Sequence, residues 1–220
     1  MVARREGFVK SIPVGEAYSL DPERCEDVDA EMGVCHVYEE ILVKPNRWIG
    51  MACEEARRSV ESGGGPFGAV LLQIDDETGE AIRLWRDHNH VVEHSDPTAH
   101  AEISVIRSAC HELGVHDLGV IRKSESKLPQ EGETSHCEIY SSCEPCPMCY
   151  SAISWARIPV LVFSATRFEA SQESVGFLDD EIYEELGKDY RSRKIRVYQA
   201  LCPGTLDAFK LWKKGDCARY

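Results

Sequence analysis

Two short motifs, far apart in the chain, constrain its fold more than any other feature. PTAHAE, at 97–102, sets His100 two residues before Glu102. EPCPMC, at 144–149, sets Cys146 and Cys149 three apart, with prolines beside them. Proline is favoured in the first turn of a helix, so both motifs read as helix starts. Helix N-termini carry a partial positive charge that favours thiolates. A fold that uses the two motifs together must bring two helix starts to one point.

The residue types say what that point would hold. One imidazole and two thiolates suit zinc, and three protein ligands leave the fourth tetrahedral position for water, the catalytic rather than the structural pattern. His100, Cys146 and Cys149 are the expected ligands. Glu102 falls on a different helix face from His100, so it is expected to carry protons to and from a water there rather than to ligate. Each residue alone has an ordinary reading. His100 could cap a helix or fill a core, Glu102 could complement a helix dipole, and the cysteines could be a packing or redox pair. The joint pattern favours zinc. Cys143 is an alternative fourth ligand that would close the site, although it precedes Pro145 and lies outside the helix. Cys25, Cys35 and His36 are an alternative second cluster, without the short cysteine repeat that would support it.

The rest of the chain supplies a scaffold. Residues 1–44 show no strong period and read as an N-terminal extension, with the main domain over 45–220. The pattern over 46–63 predicts a helix with a glycine stop. Strands are expected at 65–74 and 81–89, joined as a hairpin. A helix follows over 96–114, with Asp96 as N-cap and Pro97 at its first position. The polar stretch 121–136 reads as a surface loop. Then come a strand at 137–142, a helix at 145–158, a strand at 159–165, a short helix at 181–186, a strand at 194–200 and a terminal helix at 204–214. This order predicts an α/β fold, a three-layer α/β/α domain with a mixed sheet of about five strands. The glycines 63–65 resemble a phosphate-binding loop, but no G-K-[ST] follows, so a helix stop is the better reading.

Lys and Arg number 25 and Asp and Glu 38, a net charge of −13. That balance weighs against a nucleic-acid partner. No run approaches the roughly 20 apolar residues of a membrane-spanning helix, and no signal peptide is evident, so no membrane partner and a cytoplasmic location are expected. The ten cysteines then fit a reducing compartment and a metal site better than disulfides.

The spacing H-x-E…P-C-x-x-C is the known signature of zinc-dependent nucleobase deaminases. DPTAHAEISVIRSAC, YSSCEPCPMCYSAISWARI and GGGPFGAV resemble the guanine deaminase branch of the cytidine deaminase superfamily, over about residues 46–220. The resemblance implies a cytidine-deaminase-like fold and a Zn2+ cofactor. It also implies hydrolytic deamination of guanine to xanthine and ammonia by a metal-bound hydroxide, with Glu102 as the proton shuttle. SVGFLDDEIYEEL, at 174–186, looks like the branch's loop over the base. It would supply Phe177 and the acid Asp179, the latter sharing the final proton transfer. Leu178 departs from the branch, which more often has an acidic residue there. Asn89 matches a base-orienting asparagine and Phe67 an aromatic near the pocket. A terminal tyrosine, here Tyr220, is typical of a tail that crosses to the partner in a domain-swapped homodimer.

The zinc motif does not choose a substrate. Guanosine, cytosine, adenine and triazines such as ammeline remain rival substrates. A tRNA adenosine deaminase shares DPTAHAE and EPC-x-x-C but must bind a polyanion. A zinc-stabilised module without catalysis is the rival from another class, and it would have no use for Glu102.

Overall fold

The computed structural model describes residues 10–17 and 36–215. Its centre is a six-stranded sheet formed by β1 (Ile12–Ala17), β2 (Gly68–Asp75), β3 (Glu80–His88), β4 (Ile121–Arg122), β5 (Thr134–Cys143) and β6 (Val160–Ala165). The order runs β1-β3-β2-β5, and β4 and β6 divide the other side of β5. All pairings are antiparallel except β5 with β6. The mixed α/β class expected from the sequence is therefore the one found, with one strand more than expected.

Alternation along β2 produces the layers, because successive side chains point to opposite faces. Val70, Leu72 and Ile74 pack with Trp48, Ile49 and Ala52 of α1 (Arg47–Glu61). Ala69 and Leu71 pack on the other face with Val105, Ala109 and Leu113 of α3 (Ala101–Leu113) and Ile153 of α4 (Pro147–Trp155). The short α2 (Val91–His94) follows β3. Asn46 starts α1 by accepting from the backbone N–H groups of Trp48 and Ile49. Gly63 lies beyond its end at φ +87°, where a side chain would be strained.

Several expectations shift. The helix expected from Asp96 begins at Ala101, with His100 in the cap position. Asp96 instead accepts from the backbone N–H and hydroxyl of Thr98, a local turn that competes with helix initiation. The expected loop at 121–136 contains β4 and the first residues of β5, with Ile121, Gln130 and Ser135 buried. Within the expected extension, Ile12–Ala17 forms an edge strand on β3.

The strand expected at 194–200 is absent. Among the described residues that stretch has no sheet partner, and Ile195, Val197 and Tyr198 are exposed. It lies between α6 (Asp179–Gly187) and α7 (Asp207–Lys214). Among the described residues, no helix is long and apolar enough to cross a membrane.

A candidate zinc site and its cavity

His100 and Cys146 sit in the cap positions of α3 and α4, and Cys149 lies in the first turn of α4. The two helix starts meet. His100 Nδ1 is 3.7 Å from Cys146 Sγ and 3.5 Å from Cys149 Sγ. With bonds of about 2.0–2.1 Å to nitrogen and about 2.3 Å to sulfur, a tetrahedral zinc ion spaces these ligand atoms by about 3.5–3.6 Å. The donor set and its spacing therefore fit zinc.

A second gathering of metal-binding side chains fails the same test. Asp87, His88, His90, Glu93 and His94 cluster at the end of β3 and along α2. His90 contacts Asp87 Oδ1 and Glu93 Oε2 at 2.7 Å each. Shared ligation of one ion would need about 3.3 Å between such atoms. The short contacts are hydrogen bonds from a doubly protonated imidazole, and the Asp87 hydrogen bond raises the His90 pKa to about 9.

The electrostatics at the ligand corner suit a cation. The Cys146 thiol is pushed well down, first by the hydrogen bond from Cys149 and then by His100, while Cys149 is pushed up as the other half of the pair. Beside them Glu102 is 5% exposed. It accepts from Ser141 Oγ at 3.0 Å, and Cys149 Sγ lies 3.4 Å from its other oxygen. Burial raises its pKa, so it holds a proton more readily than an ordinary carboxylate. Cys143 stands apart from the ligand atoms. Its thiol donates to the Thr166 carbonyl, and burial pushes its pKa up to about 12, so it remains a neutral thiol.

His100, Glu102 and Cys146 open onto a cavity of about 320 Å³. Asn89, Phe67, Phe177 and Asp179 line the same cavity. Asn89 is fixed on three sides. Its N–H donates to the Phe67 carbonyl, its carbonyl accepts from Ser59 Oγ, and its Oδ1 accepts from the Val91 N–H. That arrangement leaves its side-chain NH2 for the cavity. A Cβ at Gly64 would come within 2.5 Å of Ser59 Oγ and 2.9 Å of the Asn89 carbonyl, so glycine is needed beneath this asparagine. The glycines at 63–65 thus line a pocket as well as ending α1. The Phe67 and Phe177 rings meet edge to face at 4.7 Å. Asp179 opens α6, and burial raises its pKa. Tyr220, and Cys25 and Cys35 of the alternative cluster, lie outside the described residues.

Sequence reading missed Glu144, Val91, Val92 and Pro97 in the lining. Glu144 directly precedes the Pro-Cys pair, and that adjacency was the available signal.

The "Cytidine and deoxycytidylate deaminase zinc-binding region" family profile matches residues 43–165. This chain belongs to that family of zinc-dependent hydrolytic deaminases. Among its relatives, the guanine deaminase of Bacillus subtilis is 35% identical over 167 residues, 76% of this chain and 90% of the relative. The tRNA-specific adenosine deaminase of the same organism is 34% identical over 180 residues, 81% of this chain and 97% of the relative. The crystal structure of guanine deaminase from Bacillus subtilis superposes with a TM-score of 0.64 at 34% identity, covering 81% of this chain and 99% of that one.

Proposed function

We propose that this chain hydrolyses guanine to xanthine and ammonia. The observation that carries the reading is the shared cavity, whose lining holds His100, Cys146 and Glu102 together with Asn89, Phe177 and Asp179. A cavity of about 320 Å³ is at the small end for ligand sites and suits a single ring system.

His100, Cys146 and Cys149 would hold zinc, which when bound supplies a Lewis acid and an acidified water. Phe67 and Phe177, in edge-to-face contact with each other, form an aromatic wall for the purine ring, and the Asn89 NH2 donates to a ring acceptor. Water adds its oxygen to C2. Glu102 takes a proton from that water and delivers it to N3, a transfer suited to a carboxyl whose burial raises its proton affinity. The hydroxyl now on C2 gives up its proton to the 2-amino group, the carbonyl at C2 forms as the C2–N bond breaks, and the amino group leaves as ammonia. Asp179, also raised by burial, shares this last transfer. Turnover in 18O-labelled water tests the reading, with the label expected in xanthine at C2. Xanthine without label, or no xanthine at all, would overturn it.

The similarity to tRNA adenosine deaminases supports a second reading, adenosine in an RNA loop. The net charge of −13 opposes it, because such an enzyme must hold a polyanion. A salt-sensitive complex with tRNA would favour it.

The same reading includes a homodimer joined through the C-terminal arm. Ile195, Tyr198, Leu201, Phe209 and Leu211 are 65–83% exposed, a density of apolar surface that fits a partner better than solvent. The 194–200 strand pattern, unpaired among the described residues, would pair in a second copy. Sedimentation should show a dimer, and truncation after Arg193 should give monomers. A cytoplasmic location belongs to this proposal too, supported by seven free cysteines among the described residues.

A further inference from the structure

The acid proposed for the last proton transfer sits on an element with little burial of its own. Among the described residues of α6, none is buried, and Ile182 and Leu186 are exposed. Packing alone therefore holds Asp179 in the cavity only weakly. Polar ties do the rest, and they converge on one guanidinium. Arg167 Nη1 donates to Glu144 Oε1 at 2.7 Å, its Nε donates to Asp180 Oδ1 at 2.9 Å, and its backbone N–H donates to Glu144 Oε2 at 3.0 Å. The same guanidinium lies 5.0 Å from the Tyr183 ring. Tyr183, also on α6, donates its hydroxyl to the Pro145 carbonyl at 2.7 Å. Tyr38, from the segment before the main domain, donates to Glu144 Oε2 at 3.2 Å. The ties thus land on Glu144 and Pro145, the two residues preceding Cys146.

We propose that Arg167 is a positioning residue that clasps α6 to the ligand corner, bridging Glu144 and Asp180 so that Asp179 enters the cavity, with Tyr38 completing the clasp. The geometry favours arginine over lysine. One planar fork spans two carboxylates here, whereas an ammonium is a single compact charge. The clasp also gives residues 36–41 a role. They brace the wall of the site through Tyr38, and the backbone N–H of His36 adds a hydrogen bond to Glu169 on α5 (Arg167–Ala170).

The proposal rests on the reading of Asp179 as a proton carrier for guanine, so the experiment uses two readouts. The first is amide hydrogen exchange over 179–187 in the zinc-loaded full chain, which needs no substrate. The second is steady-state turnover of guanine. Arg167→Ala should remove exchange protection from α6 while leaving α1, α3 and zinc content unchanged. Its kcat should fall on the order of 10- to 100-fold, with a smaller change in KM, as expected when a reacting group is misplaced by about 1 Å. Asp180→Asn, outside the cavity lining, should move both readouts the same way. Arg167→Ala/Asp180→Asn should be no worse than Arg167→Ala, since both break one bridge. Arg167→Lys should recover part of the loss, and Tyr38→Phe should cost the least. Unchanged protection in Arg167→Ala, or full additivity in the double variant, would overturn the clasp. Lost protection with unchanged kcat would equally overturn its role in positioning Asp179. Should wild-type protein leave guanine untouched, the function reading falls, while the exchange result still decides whether α6 is clasped.

Discussion

The ligand corner and the α6 wall face each other across one cavity, yet they are held by different forces. The corner is buried in the fold. Cys149 is fully buried, Glu102 nearly so, and α3 and α4 pack onto the sheet through Val105, Leu113 and Ile153. The α6 wall is hung from the outside by hydrogen bonds and ion pairs through Arg167 and Tyr183. Burial gives the corner fixed geometry and raises the proton affinity of Glu102. A polar suspension leaves α6 able to yield when substrate enters, since weakly packed elements open at low free-energy cost. The shared deaminase chemistry thus resides in the rigid region, and the proposed choice of base is divided between the fixed Asn89 and Asp179 on the suspended wall.

This contrast predicts unequal responses to substitution. Cys149→Ala should have the largest effect, with loss of zinc by metal analysis, loss of turnover and a lower melting temperature. Full zinc content in that variant would remove Cys149 from the ligand set. Glu102→Ala should keep zinc and the fold but lose at least about 10²–10⁴-fold in kcat, the usual contribution of general acid–base catalysis. An active Glu102→Ala would end its assignment as proton carrier. Asp179→Ala, on the suspended wall, should slow guanine turnover by about 10- to 100-fold with almost no change in melting temperature. Equal destabilisation by Asp179→Ala and by a core change such as Leu71→Ala, for which about 2–5 kcal/mol is expected, would erase the distinction between the regions.

The smallest predicted effect concerns pH. His90, between Asp87 and Glu93, has its pKa raised to about 9, chiefly by the Asp87 hydrogen bond. The unfolded value is about 6.5, so the folded protein binds this proton more tightly. The resulting stabilisation is fully present below about pH 6.5 and is lost as pH rises through about 9. His90→Asn should flatten the fall in melting temperature over that window. An unchanged slope would show that the imidazole contributes nothing there.

Much of this was legible in the sequence because it is local. The spacing of His100 and Glu102, the Pro-Cys pair and the continuous apolar run of β2 are each short-range patterns. What escaped depends on distant partners. Asp96 looks like a helix cap until its bonds to Thr98 are seen. In β1, Pro13 and Gly15 obscure any strand pattern, and the edge position on β3 tolerates both. The bridge from Glu144 through Arg167 to Asp180 joins residues 13 and 23 positions apart, with no periodic trace. At 194–200 the apolar and β-branched residues read as a strand, but among the described residues no strand pairs with them.

Ammonia release by the purified, zinc-loaded protein tests the central claim most directly, with guanine, guanosine, adenine, cytosine and cytidine assayed in parallel. The account predicts release from guanine and none from the others. Release from guanosine or cytosine instead would keep the corner's chemistry and contradict the assignment of the α6 wall. Silence across the whole panel, with zinc bound and the fold intact, would contradict the account as a whole.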